Sequence, residues 1–348
     1  MCCRGKRSEN YRRGVCMRAK KHVVVLMGGI SSEHDISIQS GEMILDNLDT
    51  DTYKVSSIVI TRDGEWLFSD EPGEYMEISR AIPKLRDMHP DCVFIALHGP
   101  FGEDGRIQGL LDLMGIPYTG SGCSASGLAI DKIRSKQIMR HVGVSVPDAI
   151  EFTLHDWKLD GEGIAHRVSE SLGFPCVVKN PRQGSSLGMA IPKTADEFND
   201  AVEQVLGYGY TLMVERLVHG TEVTCGVLDL EEGEGEEALP VTEIRPVKSE
   251  FFDYHAKYTA DAANEITPAE IDESIRDRVQ EISLNAHRTL GCRGFSRSDM
   301  IISGDDIVWL ETNTIPGFTE TSLLPQGAAA AGMSFKDLLT RIVATATI

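Results

Sequence analysis

A predicted β-hairpin near the C-terminus most constrains the fold of this chain. If residues 303–307 form its loop, antiparallel pairing sets Asp299 opposite Glu311 and Arg297 opposite Asn313. Side chains two positions apart on a strand share one face, so two carboxylates, a guanidinium and an amide lie on one surface. Facing carboxylates need a cation between them, and such oxygen ligands suit Mg²⁺. The hairpin predicts the metal-bearing floor of a phosphoryl-transfer site; an edge hairpin with solvated charges is the alternative.

The segment after the hairpin has the features of a ligand-binding turn. Residues 313–317 end in Gly317, which can bring a backbone N–H close to a ligand. Ser322 and Leu323 then lie just ahead of a small-residue helical stretch at 327–332. Because the N-terminus of a helix stabilises negative charge, a hydroxyl there suits an anion such as a carboxylate.

Length and charge limit the classes of protein that this chain can belong to. Its 348 residues exceed one comfortable core, which predicts two or three domains. No apolar run approaches the length of about 20 residues that a membrane helix needs. The net charge of −19 disfavours nucleic-acid or anionic-membrane partners, although local positive sites for a nucleotide remain possible.

The first 21 residues form a basic arm with eight Lys or Arg and one Glu. This arm lacks the apolar segment of a secretory signal, so we predict a disordered extension, with an upstream start before Met17 as the alternative. The five cysteines beyond it are scattered in apolar contexts and predict buried free thiols in a reducing cytosol. They are Cys92, Cys123, Cys176, Cys225 and Cys292. A cytoplasmic location follows as an expectation.

The N-terminal part predicts a doubly wound α/β domain. Residues 22–27 form a continuous apolar, β-branched run of the kind found in buried parallel strands, and strands are also expected at 55–60 and 91–97. Loops after such strands carry ligand contacts, and Glu33 and His98 lie in two of them. Each also has a plain structural explanation, Glu33 as a helix-start carboxylate and His98 as a loop histidine bonded to backbone.

One glycine pattern suggests a dinucleotide site and is rejected. Residues 120–125 match G-x-G-x-x-A. They follow only a short strand predicted at 116–119, and no acidic residue ends a second strand about 20 residues later.

The middle of the chain has a lysine beside a flexible turn. Lys179 ends a strand predicted at 174–179, and the Gly/Ser-rich residues 181–188 follow it, a combination suited to phosphates. Glu215 and Glu222 flank a segment where carboxylates could accept hydrogen bonds from ribose. A hairpin turn and solvated carboxylates are the corresponding alternatives.

Residues 249–264 form a long aromatic loop without periodicity, which is typical of a lid over an active site. Lys257 and Tyr258 are its candidate working residues. We expect Pro268 in the first turn of the next helix, continued by residues 276–290, and a capped terminal helix at 334–345.

With these features in hand, the chain resembles the D-alanine–D-alanine ligases of the ATP-grasp superfamily from about residue 22 to 346. The resemblance rests on the blocks GGISSEHDISIQSG, LHGPFGEDGRIQG, GSGCSASGLAIDKIRSK, VVKNPRQGSSLGM, FFDYHAKYT, GCRGFSRSD and ETNTIPGFTETSLLP. It implies an α/β ATP-grasp fold with an N-terminal doubly wound, Rossmann-like domain. The expected boundaries are 1–21 for the basic extension, 22–121 for the N-terminal domain, 122–219 for the central subdomain and 220–348 for the C-terminal subdomain, which holds the metal site and the lid loop 249–264.

The resemblance also implies a reaction. ATP would phosphorylate the carboxylate of one D-alanine, and the amino group of a second would attack the acylphosphate to give D-alanyl-D-alanine for peptidoglycan precursors. ATP, D-alanine, two Mg²⁺ or Mn²⁺ and a homodimer are the implied cofactors and partners. The alternatives are the same fold with D-lactate or D-serine as acceptor, and a non-catalytic nucleotide-binding module.

Roles carried over by matching motifs cover four groups of residues. Metal binding falls to Asp299, Glu311 and Asn313, with Glu311 bridging. ATP binding falls to Lys132, Lys179, Ser186, Glu215, Arg216, Val218 and Glu222. Catalysis falls to Glu33, Ser185, Tyr258, Arg297 and the N–H of Gly317. Substrate binding falls to Glu33, His98, Lys257, Ser322 and Leu323.

Tyr258 and Leu323 match the dipeptide-forming enzymes rather than the relatives that make D-alanyl-D-lactate. Asn180 and Gln183, on either side of the start of the phosphate loop, depart from the usual family residues.

Overall fold

The computed structural model describes residues 20–184, 188–230, 234–246, 263–319 and 321–348. Predictions for Ser185, Ser186, Lys257 and Tyr258, and for most of the basic arm and the lid loop, lie outside the described residues. Within them the chain forms three sheets flanked by helices. No helix of the described part is both long and apolar enough to cross a membrane.

The first sheet has a parallel centre, as the apolar N-terminal run predicts. Strand β1 pairs in parallel with β2 on one side and β5 on the other, and the sheet order is β4-β3-β2-β1-β5. Its strands are β1 (Lys21–Gly28), β2 (Tyr53–Ile60), β3 (Trp66–Phe68), β4 (Tyr75–Met76) and β5 (Cys92–Ile95), with helices α1 (His34–Asn47), α2 (Ile78–Asp87) and α3 (Arg106–Met114). The strand predicted at 116–119 is reduced to a single bridging residue, Tyr118, between Val93 and Thr347.

The second sheet is antiparallel, in the order β6-β9-β7-β8. Two helices lead into it, α4 (Cys123–Ile130) and α5 (Lys132–His141). The sheet consists of β6 (Ala149–Thr153), β7 (Cys176–Lys179), β8 (Met189–Ala190) and β9 (Thr211–Arg216), covered by α6 (Leu154–Ser171) and α7 (Ala195–Leu206). Val168, Phe198 and Val202 of these helices pack on Val178 and Val214. This core holds the strand that carries Lys179.

The third sheet carries the hairpin and runs in the order β13-β12-β10-β14-β15, with β11 paired to β10. Its strands are β10 (Thr221–Asp229), β11 (Glu236–Ala238), β12 (Thr242–Pro246), β13 (Ala263–Ile266), β14 (Phe295–Ser303) and β15 (Asp306–Asn313). The associated helices are α8 (Glu273–Thr289), α9 (Leu323–Ala330) and α10 (Phe335–Ala344).

The predicted pairs of the hairpin are confirmed, but the predicted loop is wrong. Asp299 pairs with Glu311, and Arg297 pairs with Asn313. The loop is not 303–307: Ser303 pairs with Asp306, so only residues 304 and 305 form the turn. The positive φ of 61° at residue 304 fits a type II′ turn. A β-bulge between the turn and Asp299 adds one residue to β15 and restores the predicted pairs.

Three smaller predictions need correction. The helix expected to include Pro268 begins at Glu273, because the N–H of Ala269 bonds to the Val241 carbonyl (2.8 Å) and keeps this segment on the sheet. The helix after the hairpin begins at Leu323, earlier than expected. All five cysteines are free, yet Cys123 is exposed and Cys292 is only half-buried. The terminal helix is confirmed and is capped by Ser334.

Aromatic packing joins the first and third sheets. The ring of Phe318 meets Phe94 of β5 and Phe295 of β14 edge-to-face, with centroids 5.6 and 5.4 Å apart. Leu324 of α9 and Leu338 of α10 belong to the same buried cluster. The hairpin exit therefore lies against the carboxyl end of the parallel strands, where ligand loops are expected.

A buried polar cluster holds α8 and α10 on the third sheet. His287 bonds Asp229 Oδ1 through Nε2 (3.1 Å) and Ser296 Oγ through Nδ1 (2.7 Å). The N–H of Gly294 donates to Asp229 Oδ2 (2.5 Å), and Arg341 donates to the Asp229 carbonyl (2.8 Å). Burial would raise the pKa of Asp229, but the bonds from His287 and Gly294 outweigh it and lower that pKa.

This cluster predicts an acid-sensitive contribution to stability. A lowered folded-state pKa stabilises the protein above the unfolded value of about 3.9, and the gain is lost as the pH falls through the folded value. Asp229→Asn should reduce the free energy of unfolding at pH 7 by about 1.5–3 kcal/mol, with the difference shrinking below about pH 4. Urea unfolding from pH 3 to pH 7 measures this. Glu237→Gln, at a half-exposed partner of Arg341, is the control, and an equal loss there would contradict the prediction.

Candidate active site

The floor of the site is the face of the hairpin that carries Asp299. Arg297 binds this carboxylate with two bonds, Nε to Oδ1 and Nη2 to Oδ2, both 2.9 Å. Thr224 Oγ1 donates to Oδ1 (2.7 Å), and Asn313 Nδ2 donates to Oδ2 (3.1 Å). Asp299 is nearly buried, so these four bonds fix the direction of its oxygens.

Lys132 connects this floor to the loop after β7. Its Nζ lies 2.7 Å from Glu311 Oε2 and donates to the carbonyl of Gln183 (3.0 Å). Burial would lower the pKa of Lys132, but the charge and hydrogen bond of Glu311 outweigh it and raise that pKa. Lys132 is therefore a cation between the hairpin and the loop predicted to bind phosphates.

A second acidic group lies at the end of β9 and holds two lysines. Glu215 accepts from Lys136 at Oε1, and Lys179 Nζ lies 2.6 Å from Oε2. Burial would raise the pKa of Glu215, but the two lysines overcome it and hold that pKa low. The structure thus places Lys179 and Glu215 together, as the sequence predicted.

Three other residues predicted to bind ATP lie near the end of β9. Arg216 points to the opposite face of β9, where its guanidinium donates to the carbonyls of Leu172 (2.9 Å) and Ser171 (2.6 Å). The structure does not bring the side chain of Arg216 to the lysine cluster. Val218 lies half-buried between β9 and β10, and Glu222 lies at the start of β10, on the sheet face that carries Asp299.

Glu33 approaches the phosphate loop from the first sheet. It is buried in the N-cap position of α1. A Cβ on Gly184 would lie 2.6 Å from Glu33 Oε2, and a Cβ on Gly99 would also collide with it. Backbone from two loops therefore packs directly on this carboxylate. The structure places Glu33 beside the loop that carries Gln183, although the two are far apart in sequence.

His98 serves as a buried link rather than an open substrate contact. Its Nδ1 bonds the carbonyl of Ile315 (3.0 Å), and its Nε2 bonds Ser40 Oγ (2.9 Å). Ser40 Oγ in turn accepts the N–H of Phe318 (3.2 Å). Burial lowers the pKa of His98 to about 4. The neutral imidazole therefore positions the turn after the hairpin, and both of its ring nitrogens are engaged.

Gly317 and Ser322 come together at the end of that turn. A Cβ on Gly317 would lie 2.6 Å from Ser322 Oγ, so only glycine fits without moving the hydroxyl. Ser322 Oγ accepts the N–H of Thr319 (2.9 Å) and bonds its hydroxyl (2.8 Å). Ser322 occupies the N-cap of α9 without capping it through its side chain, and Leu323 is the first residue of that helix.

The hairpin residues fit a divalent cation that is shared with phosphates. The described part of the chain has no cluster of three or more His, Cys, Asp or Glu that could hold a metal. Asp299, Glu311 and Asn313 instead offer two carboxylates and an amide on one face, and Arg297 and Lys132 balance the negative charge. Mg²⁺ prefers such a partial oxygen set, because it keeps water and substrate phosphate as its other ligands.

Comparison with known proteins identifies the family of this fold and site. The family model described as D-ala D-ala ligase N-terminus matches residues 22–121, and the model described as D-ala D-ala ligase C-terminus matches residues 138–344. The chain belongs to the D-alanine–D-alanine ligase family. The α/β ATP-grasp fold predicted from the resemblance is thereby confirmed.

Similar proteins match over nearly their whole length. D-alanine–D-alanine ligases of Syntrophobacter fumaroxidans and Desulforudis audaxviator are 42% and 40% identical, each over 93% of this chain and 97% of the relative. The ligase of Bacillus anthracis, solved in complex with ATP, has a TM-score of 0.76 at 35% identity, covering 94% of this chain and 97% of that one. The VanG D-Ala:D-Ser ligase of Enterococcus faecalis has a TM-score of 0.77 at 31% identity, covering 93% and 98%.

Three residues of this ligase-family site were missed by the sequence analysis. Lys136 lies one helical turn after Lys132, a spacing that puts both on one helix face and could have revealed it. Thr224 shares a strand face with Glu222, which is a weaker signal. Glu103 accepts the N–H of Gly99 (3.1 Å), and burial with the charge of Glu33 raises the pKa of Glu103. Nothing in the sequence spacing between His98 and Glu103 indicated that Glu103 would lie beside Glu33.

The buried His98 predicts a second pH-dependent contribution to the free energy of unfolding, in a pH range above that of Asp229. An unfolded histidine has a pKa of about 6.5, and the folded value is about 4. Between these values the unfolded state binds a proton that the folded state does not, so stability falls as the pH falls. His98→Gln should flatten the slope of unfolding free energy between about pH 6.5 and 4, by up to about 1.4 kcal/mol per pH unit. Equal slopes for the two proteins would contradict this assignment.

Proposed function

We propose that this chain joins two D-alanines to D-alanyl-D-alanine at the expense of ATP, with ADP and phosphate as the other products. The observation that supports it most is the hairpin floor, where Asp299 and Glu311 face each other and Lys132 connects Glu311 to the phosphate loop. In the family to which the chain belongs, several relatives are D-alanine–D-alanine ligases. Peptidoglycan precursor synthesis in the cytoplasm is the corresponding role.

ATP would lie between the second and third sheets. Lys132, Lys179 and Ser186 contact its phosphates, while Glu215, Glu222 and the backbone near Arg216 and Val218 receive the nucleoside. Asp299, Glu311 and Asn313 would hold two Mg²⁺ or Mn²⁺. Bound there, the cations neutralise phosphate charge and orient the group that is transferred.

The two amino acids would be held by groups on either side of the phosphates. Glu33 receives the ammonium of the first D-alanine, and Ser185 and Tyr258 connect it to the lid. Ser322, Lys257 and the N-terminus of α9 receive the second carboxylate. Leu323 packs against the acceptor. His98 contributes indirectly, through its bond to the turn that carries Gly317.

The first step transfers the γ-phosphoryl group of ATP to the carboxylate of the first D-alanine, giving an acylphosphate and ADP. The free amino group of the second D-alanine then attacks the acyl carbon, and phosphate leaves from the tetrahedral intermediate. Arg297 and the N–H of Gly317 stabilise the oxyanion. Catalysis is mainly positioning and charge stabilisation, because the reacting groups need no covalent bond to the protein.

We also propose the division of the chain that was predicted from the sequence, and the arrangement of the sheets supports it. The boundaries at 22–121, 122–219 and 220–348 assign one sheet to each part. A homodimer is the proposed assembly.

One prediction from the proposed function concerns the product. With ATP, Mg²⁺ and D-alanine alone, the protein should release one phosphate per D-alanyl-D-alanine, and Glu311→Ala should lower both rates by at least about 10²-fold. Phosphate assay and chromatography of the dipeptide measure the ratio. Phosphate release without dipeptide would point to another acceptor. A preference for D-lactate or D-serine over D-alanine in competition at neutral pH would contradict the proposal, and tight ATP binding without turnover would indicate a binding module.

Another prediction from the proposed function concerns the binding of the second D-alanine. Gly317→Ala puts a methyl group 2.6 Å from the Ser322 hydroxyl oxygen. The hydroxyl must then move, so the second carboxylate loses its alignment. The KM of the second D-alanine should rise about tenfold or more, while the KM of ATP stays unchanged. Ser322→Ala, which removes the hydroxyl without crowding, should raise the same KM by a similar factor, because both changes take the Ser322 hydroxyl away from the carboxylate. A larger effect on ATP than on D-alanine would refute this assignment.

A further inference from the structure

One buried charge near the site has no role in the reaction described above. Lys136 lies on α5 and is only 3% exposed. It is one helical turn beyond Lys132, so both ammonium groups approach the cleft from the same helix. Lysines are almost never fully buried without a partner, and the partner here is Glu215 of β9.

The two lysines on Glu215 differ in their access to the cleft. Lys136 contacts Oε1, and its side chain is 4% exposed. Lys179 contacts Oε2, and its side chain is 15% exposed. Lys179 ends its strand beside the phosphate loop, and its side chain is the more exposed of the two. Lys136 contacts the other oxygen of this carboxylate from α5 and is almost fully buried.

The charges around Lys136 favour an ionised Glu215. The pKa of Lys136 is lowered to about 7. Burial and the charge of Lys179 lower this pKa, whereas the charges of Glu215 and of the more distant Glu311 raise it. Departure of Lys179 to a phosphate therefore removes a repulsive neighbour from Lys136. The remaining pair, Lys136 and Glu215, is then a one-to-one ion pair in a buried place, where an unpaired carboxylate would be very unfavourable.

We propose, on the basis of the function above, that Lys136 is a positioning residue that keeps Glu215 a hydrogen-bond acceptor after Lys179 turns to the phosphates, and so selects the purine. An ionised carboxylate can only accept hydrogen bonds. The 6-amino group of adenine donates to it, whereas the 6-carbonyl of hypoxanthine would meet it oxygen to oxygen. The pair therefore favours adenine over 6-oxopurine nucleotides.

The test compares binding of ADP and IDP, in the presence of Mg²⁺, by calorimetry. The wild-type protein should prefer ADP. Lys136→Met removes the charge with little change in volume, and Glu215 then takes up a proton and can donate to the 6-carbonyl, so the preference should fall by about tenfold. Lys136→Arg should keep it. Lys84→Met is the control and should leave the preference unchanged, because Lys84 is a mostly buried lysine on α2 whose partners, Asp70 and Glu71, lie between β3 and β4.

Kinetics provide a second readout. Lys136→Met should raise the KM for ATP and lower the ATP-to-ITP ratio of kcat/KM, with the KM of D-alanine unchanged. Unaltered ADP preference in a folded Lys136→Met protein would overturn the proposal and leave Lys136 a purely structural residue.

Folding of the variant does not limit the test. If Lys136→Met does not fold, the double variant Lys136→Met/Glu215→Gln removes both charges of the buried pair and leaves only Lys179, whose side chain is 15% exposed, without its carboxylate. The preference of this double variant for ADP should also be lost. Retained preference in that double variant would overturn the proposal, because Glu215 would then not be the selecting group. Nucleotide binding is measured without D-alanine, so a failure of the ligase reaction is seen separately in the product assay.

Discussion

The repulsion between Asp299 and Glu311 is the constraint on which the site depends. Two carboxylates that face each other across a hairpin are unfavourable unless cations lie beside them. Two different elements supply these cations. Arg297 lies on β14, the strand that also carries Asp299, and Lys132 lies on α5. Lys132 balances the charge of Glu311 and also donates to the Gln183 carbonyl, so the same side chain connects the phosphate loop to the floor of the site.

Charge pairing also determines where the lysines of the site lie. Lys132 and Lys179, the cations assigned to ATP phosphates, each lie on a carboxylate that is assigned to metal or nucleoside. Binding of nucleotide with metal would exchange one set of ion pairs for another, so no buried charge is left unpaired at either stage. Such an exchange keeps the cations near their working positions, and this preorganisation reduces the cost of binding.

Much of the fold follows from local sequence patterns, but part of the site does not. The apolar run of β1 and the paired acidic residues of the hairpin were predictable from strand periodicity. The loop length was not, because a two-residue turn followed by a bulge gives the same pairs as a longer loop. The cluster of Asp229 with His287 joins elements far apart in sequence, and no local pattern indicates it. The approach of Glu33 to the phosphate loop came only from the family resemblance.

The first sheet contributes more than a binding loop. Phe94 of β5 packs on Phe318, and His98 bonds the carbonyl of Ile315, so both contacts fall on the turn that carries Gly317. Glu33 is the N-cap residue of α1, the helix that follows β1 of the same sheet. The groups proposed to hold the first ammonium and to stabilise the oxyanion therefore share one packed core. A shift of this core would move both groups together, which preserves the distance between the bound amino acid and the reacting carbonyl better than independent loops would.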